Sequence, residues 1–367
     1  MVFAVVTGGG TSGHVVPAKA ILEALVEAGH DPSTLRYVGA RRGMETRLLA
    51  QSPVETVFLP VSGLQRSLSP SAVGRNIAFV WRLVRSRMMA RRLIASWRPD
   101  VVVSVGGYAS APMAMAAVRS GVPLVCVSYD RVAGLATRRQ ARHATATAVA
   151  FADTDLPHAV HTGAPVRAVL RGLDVGAARG PARARLGIAP DAVCLTVMGG
   201  SLGSGVLNDR VAALVEACSG IERLAVLHIC GSRNLDDPPP HVDAAVHYVR
   251  VGYVDAMEDV YAATDLLVCR AGASTVAEVA TVGIASVLVP WAGASEDHQT
   301  KNASWLGDSA AAVVITETQW ERREAIETVA ALLQDSSARE RLARSARSLG
   351  EMHRGRALID VIENAAR

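Results

Sequence analysis

Short, continuous apolar runs recur along this chain, and stretches with helical spacing separate most of them. The runs fall at 3–6, 35–38, 55–61, 101–105, 124–127 and 146–151, then at 193–198, 224–229, 246–251, 266–269, 286–289 and 312–315. Runs of this length, bounded by turn residues, predict buried strands. Between them, 17–28 carries Ile21, Leu22 and Leu25 at helical spacing, and 205–217 also reads as a helix. Strands alternating with helices predict doubly wound α/β domains with mostly parallel sheets. The pattern pauses at Gly163-Ala164-Pro165-Val166-Arg167 and restarts. Two Rossmann-like domains are expected, over 1–163 and 164–345, with a ligand cleft between them. The tail from Trp320 reads as helical, and a last helix over 346–367 is expected to pack back on the first domain.

Both halves open with a strand, a Gly-rich loop and a helix. The first loop is Gly8-Gly9-Gly10-Thr11-Ser12-Gly13-His14, the second Gly199-Gly200-Ser201-Leu202-Gly203-Ser204. A third corner, Asp265–Glu278, joins the run 266–269 through Arg270-Ala271-Gly272-Ala273 to a helix that carries Glu278 about one turn in. Corners of this kind are where open α/β sheets bind ligands. A helix start offers unpaired N–H groups and a positive dipole end, which suit a phosphate. An ordinary βα corner capped by Ser274 is the plainer reading. His14 is the best-placed general base, since histidine titrates near neutrality; a turn-capping histidine is the alternative. Gln299 and Asn302 suit sugar hydroxyls, and backbone groups near Val254 could read a base. A phosphate corner (Ser201, Ser274), a diol partner (Glu278), a hydroxyl reader (Gln299) and a base reader (Val254) together describe a nucleotide-sugar site.

One long helix, 72–97, has apolar residues at 73, 77, 80, 84 and 88, which predicts a core stripe. Phe79, Trp81 and Leu83 point elsewhere, and Arg75, Arg82, Arg85 and Arg92 share a face. A basic helix with aromatics outside its core stripe suits an anionic membrane surface. A solvated arginine-rich face is the plainer alternative.

Composition narrows this picture. Half of the 367 residues are apolar and a fifth are charged, so the chain is globular. The net charge of +4 does not by itself point to nucleic acid. The five cysteines are scattered without a CxxC pair and read as buried free thiols. No signal peptide or membrane-spanning run is expected, which predicts a cytoplasmic protein. Asp153-Thr154-Asp155 has DxD spacing but sits before Pro157 and reads as a turn, and His158 and His161 lack a third ligand near in sequence. No metal and no cofactor are expected. No GxSxG elbow or activated cysteine supports nucleophilic catalysis.

With these motifs in order, the chain resembles the peptidoglycan N-acetylglucosaminyltransferase (MurG) family almost end to end. The carriers are GGGTSGHVVPA (8–18), YVGARRGME (37–45), VSGL (61–64), PDVVVSVGGYASAP (99–112), TGAPVR (162–167), GGSLGS (199–204), GYVDAM (252–257), CRAGASTVAE (269–278) and EDHQTKNA (296–303). The resemblance implies the GT-B fold. It implies inverting transfer of GlcNAc from UDP-GlcNAc to the MurNAc 4-hydroxyl of a polyprenyl-diphosphate-linked MurNAc-pentapeptide. By position it implies His14 as base. Thr11, Ser12, Gly13, Gly106, Gly107, Tyr108 and Asp130 fall on the acceptor side. Arg167 and Ser201 would face the UDP phosphates beside Ser274, with Val254 at uracil, Glu278 at ribose and Gln299 at the sugar. The long helix (Arg75, Phe79, Trp81, Arg82, Arg85) would dock peripherally on the cytoplasmic face of an anionic membrane, and UDP-GlcNAc would be a substrate. The chain departs from the family at Val127-Ser128-Tyr129-Asp130, where His-Glu-Gln-Asn is usual, at Ala164 in place of Asn, and at Leu202 in place of Gln. A paralogue using another UDP-sugar or another acceptor is the alternative reading, and a non-catalytic nucleotide-binding protein a remote one.

Overall fold

In a computed structural model of the chain, the described residues are 1–10, 12–41, 49, 52–61, 70–200, 202–243 and 246–367. Thr11, Ser201 and the side chains of Ser12, Arg75 and Phe79, all singled out above, lie outside that description. The chain divides into two compact units, Met1–Ala168 with Gly355–Arg367, and Val169–Arg354.

Unit 1 holds strands β1 (Ala4–Thr7), β2 (Leu35–Ala40), β3 (Glu55–Leu59), β4 (Val101–Ser104), β5 (Leu124–Ser128), β6 (Ala146–Val149) and β7 (Ala159–His161). They form one sheet in the order β3-β2-β1-β4-β5-β6-β7, with every pairing parallel. The helices are α1 (Ser12–Glu27), α2 (Pro70–Trp97), α3 (Gly107–Arg119) and α4 (Leu135–Ala141). Val5, Val38, Val102, Met113 and Leu124 are buried together in the core. Parallel strands covered on both faces are apolar throughout, which is why the runs were continuous.

Strand β7 escaped the sequence pattern because its three residues are all exposed. Such a strand at the sheet edge needs no apolar run. Helix α1 starts five residues before the predicted 17 and carries Pro17 inside it. Of the core stripe foreseen for α2, the side chains at 73, 77 and 80 lie outside the described residues, and the rest needs correction. Val84 and Met88 are exposed, and the face on the core carries Ser86, Ala90 and Ile94, with Met89, Leu93 and Trp97 beside it. Single residues decide this face, since small Ser86 and Ala90 leave room for α2 to pack against α3.

Unit 2 repeats the plan. Its strands are β8 (Val193–Met198), β9 (Leu224–Ile229), β10 (His247–Val251), β11 (Leu266–Cys269), β12 (Ser286–Leu288) and β13 (Val313–Val314), in the order β10-β9-β8-β11-β12-β13. Their pairings are parallel too. Its principal helices are α5 (Val175–Leu186), α6 (Val211–Cys218), α7 (Met257–Ala263), α8 (Ala273–Val282), α9 (His298–Gly307), α10 (Arg323–Gln334) and α11 (Ser336–Leu349). The predicted helix 205–217 is broken into a turn at Gly205–Asn208 and α6. Leu195, Val197, Leu214, Val226, Leu266, Val268 and Trp320 centre the core.

The helix that belongs to unit 1 at the C-terminus is Ala357–Ala365, later than the predicted 346. Residues 346–354 stay with unit 2: Arg347 donates to Val282 O at 3.1 Å and Arg354 to Thr281 O at 2.7 Å.

Candidate functional site

Each sheet has one point where neighbouring strands lead their connections in opposite directions. In unit 1 it lies between β1 and β4, in unit 2 between β8 and β11. Ligands bind beyond the carboxyl ends of strands at such points. The three Gly-rich corners of the sequence follow three of these four strands, β1, β8 and β11.

In unit 1, Gly8-Gly9-Gly10 follows β1 and Gly106-Gly107 follows β4. Gly107 has φ +75, and a Cβ there would lie 2.8 Å from Gly9 O and 3.2 Å from His14 Cδ2. A side chain at 107 would therefore push the two loops apart and displace the imidazole. Ser104 Oγ donates to Gln140 Oε1 at 2.6 Å, Gln140 Nε2 donates to Ser110 Oγ at 2.9 Å, and Gly106 N donates to Ser104 Oγ at 3.3 Å. That network on α3 and α4 fixes the second turn. His14, half-buried on the first turn of α1, lies with its ring 6.4 Å from that of Tyr129, edge to face. Tyr108 is partly exposed beside Gly10, and Asp130 follows Tyr129 past the end of β5. The structure thus brings His14, Gly13, Gly106, Gly107, Tyr108 and Asp130 to one sheet edge.

In unit 2, α8 begins after Gly272 with no side chain capping its first N–H groups. Ser274 Oγ is shielded from solvent and has no hydrogen-bond partner among the described residues. A buried unsatisfied hydroxyl at an open helix N-terminus points to a ligand oxygen. Glu278, one turn further, is buried, and Tyr261 OH donates to its Oε2 at 2.7 Å. Gln299 at the start of α9 accepts from Trp291 N at 3.0 Å, which ties it to the loop after β12. Val254, half-buried, follows β10. Arg167 falls on unit 1, near the end of its main segment.

Sequence reasoning missed the group that holds this edge together. Arg270 donates to Ser204 Oγ at 3.1 Å, to Val289 O at 3.1 Å and to Pro290 O at 3.3 Å. It pairs with Glu317 at 2.5 Å, whose other oxygen accepts from Ala292 N at 3.1 Å. One guanidinium so joins the loops beyond β8, β11, β12 and β13. Its place in the corner was visible; its partner Glu317, far along the chain, was not. The 199–204 loop is equally constrained: Gly203 has φ +79, and a Cβ there would lie 2.1 Å from Cys230 O.

The DxD segment serves a different purpose, since Asp153 accepts from Arg131 at 2.7 Å. Among the described residues no three His, Cys, Asp or Glu side chains gather as a metal would require.

Two parallel α/β units, each with a Gly-rich corner at its switch point, give the GT-B architecture, and the family matches to its two halves make the chain a glycosyltransferase. The chain belongs to glycosyltransferase family 28 and, within it, to the MurG family. The family's N-terminal domain matches residues 4–149 and its C-terminal domain residues 194–355. A UDP-N-acetylglucosamine--N-acetylmuramyl-(pentapeptide) pyrophosphoryl-undecaprenol N-acetylglucosamine transferase of Desulforudis audaxviator is 33% identical, over 99% of this chain and 98% of its own. Its counterpart in Paenarthrobacter aurescens is 37% identical over 98% and 95%. The crystal structure of Acinetobacter baumannii MurG superposes with a TM-score of 0.72 at 25% identity, over 99% of this chain and 98% of that one.

Proposed function

We infer that this chain is an inverting glycosyltransferase that moves GlcNAc from UDP-GlcNAc to the MurNAc 4-hydroxyl of undecaprenyl-diphosphate-linked MurNAc-pentapeptide. The full-length likeness to relatives named for that transfer carries the reading. The two corners support it chemically.

Unit 2 is the donor unit. Ser274 and the open N-terminus of α8 receive the diphosphate, a role the family resemblance extends to Ser201 and Arg167. Glu278, fixed by Tyr261, takes the ribose hydroxyls; Gln299 takes the sugar hydroxyls and the Val254 backbone the uracil. Unit 1 is the acceptor unit, where Gly13, Gly106–Tyr108 and Asp130 meet the lipid diphosphate and MurNAc, a role the family resemblance extends to Thr11 and Ser12. His14 accepts the proton of the attacking hydroxyl as its oxygen bonds to the anomeric carbon. The bond from that carbon to the phosphate oxygen breaks, and UDP leaves with the electron pair. The helix N-terminus stabilises its growing charge without requiring a protein-held metal.

Membrane access belongs to α2. Trp81, Val84 and Met88 are exposed on one face, with exposed Arg85 and Arg92 on one flank and Arg87 and Arg91 on the other. No helix among the described residues is long and apolar enough to cross a membrane. The reading is a peripheral enzyme on the cytoplasmic face of an anionic membrane.

Purified protein given UDP-GlcNAc and the lipid-linked MurNAc-pentapeptide is expected to form the disaccharide lipid. His14→Ala should retain UDP-GlcNAc binding and lose transfer by ~10²–10⁴-fold. No product from the wild-type chain, with UDP-GlcNAc still bound, would overturn the acceptor assignment.

A further inference from the structure

The first turn of α1 contains a defect that the chain itself creates. Helix α1 runs Ser12–Glu27 with Pro17 inside it. In an α-helix the Gly13 carbonyl would accept from the N–H of residue 17, and proline has none. Here the Gly13 carbonyl accepts instead from the Tyr129 hydroxyl, at 2.6 Å. Tyr129 follows β5 directly and is buried. Its hydroxyl is held well above the usual tyrosine range, by burial first and by the charge of Asp130 second, so it remains a donor throughout the working pH range. The residue after Gly13 is His14, whose imidazole borders the Tyr129 ring and the Gly107 backbone.

We propose that Tyr129 is a positioning residue for His14. Its hydroxyl takes the place of the helical donor that Pro17 cannot supply, and so fixes the turn that presents the imidazole. The proposal rests on His14 being the base, as inferred above. It also gives the departure at 127–130 a purpose, since a phenol there reaches the α1 backbone.

The experiment measures transfer against pH for the wild type, Tyr129→Phe, His14→Ala and the double variant. Tyr129→Phe keeps the ring and removes only the hydroxyl. It should lower kcat roughly tenfold, because a small misplacement of a reacting group is expensive in rate. It should move the acidic limb of the pH profile and leave KM for UDP-GlcNAc unchanged. In the His14→Ala background the same change should have no further effect. Adding Pro17→Ala to Tyr129→Phe restores an N–H to the Gly13 carbonyl, and kcat should recover towards the Pro17→Ala value.

Unchanged kcat and pH profile in Tyr129→Phe, with His14→Ala inactive, would overturn this proposal alone. So would a Tyr129→Phe loss that persists in the His14→Ala background, or a failure of Pro17→Ala to restore rate. Full activity in His14→Ala would overturn the base assignment, and this proposal with it.

Discussion

His228 shows how one buried residue supports a loop it does not belong to. Its Nδ1 lies 2.7 Å from Tyr248 OH and its Nε2 2.9 Å from Asn208 Oδ1, while Asn208 Nδ2 donates to Cys230 O at 2.9 Å. That carbonyl is the atom a side chain at 203 would strike. Burial, then the charge of Arg250, lowers the His228 pKa from 6.5 to about 4. The unfolded chain takes up this proton as pH falls through 6.5, and the fold resists until about pH 4. Stability should be fully present above about pH 6.5 and decline between 6.5 and 4, by at most about 1.4 kcal/mol per pH unit. Urea midpoints at pH 7 and pH 5 test this, and His228→Gln should reduce the difference. An equal pH dependence in the variant would contradict the assignment. At Gly203 itself, Gly203→Ala should cost on the order of 2 kcal/mol and weaken UDP-GlcNAc binding. Gly205→Ala, two residues on and facing open space, should do neither. Thermal unfolding and calorimetric titration read the pair.

Among the elements, α2 departs most from what its pattern promised. Its buried face carries serine and alanine, and its exposed face carries a tryptophan, a valine and a methionine flanked by arginines. Amphipathicity alone does not say which stripe meets the core when both are partly apolar. If the exposed stripe meets anionic lipid, the doubly charge-reversed Arg85→Glu/Arg92→Glu should bind anionic vesicles more weakly, by about 1 kcal/mol or more per arginine. Wild-type binding should weaken with salt, and UDP-GlcNAc affinity should not change. Vesicle co-sedimentation at two ionic strengths distinguishes this from a solvated face, for which neither change would alter sedimentation.

For the whole molecule, the C-terminal segment belongs to a unit built mainly from the opposite end of the chain. Leu358, Ile359 and Ile362 are buried in unit 1, and Glu363 lies 3.1 Å from His30, which stacks on Phe3. Three such side chains at ~1.5–3 kcal/mol each make the segment a substantial part of that unit's stability. Deleting residues 355–367 should make unit 1 the first to yield to protease, with UDP-GlcNAc still bound by unit 2. Resistance equal to the full chain would show that the segment contributes little. The cysteines should stay silent in the native protein. All five are buried, and burial pushes Cys126 up to about 12 and Cys194 and Cys218 to about 11.

Most strands and the three Gly-rich corners were legible because their signals are local. Apolar runs mark strands buried on both faces, and glycine marks backbone that must turn tightly or approach another chain segment. The motifs that contain His14, Glu278 and Gln299 lie on the connections that follow β1, β11 and β12, again because glycine-rich turns and helix starts are local signals. Other features had no local signal. The edge strand Ala159–His161 has no apolar face to betray it. Tyr129 meets Gly13 across 116 positions, and Arg270 meets Glu317 from another strand's connection. Such pairings depend on sheet order and side-chain packing, which place residues together without leaving a spacing in the sequence. The sequence by itself determined where most strands and the Gly-rich corners lie; only the tertiary structure decided which distant side chains hold those corners in shape.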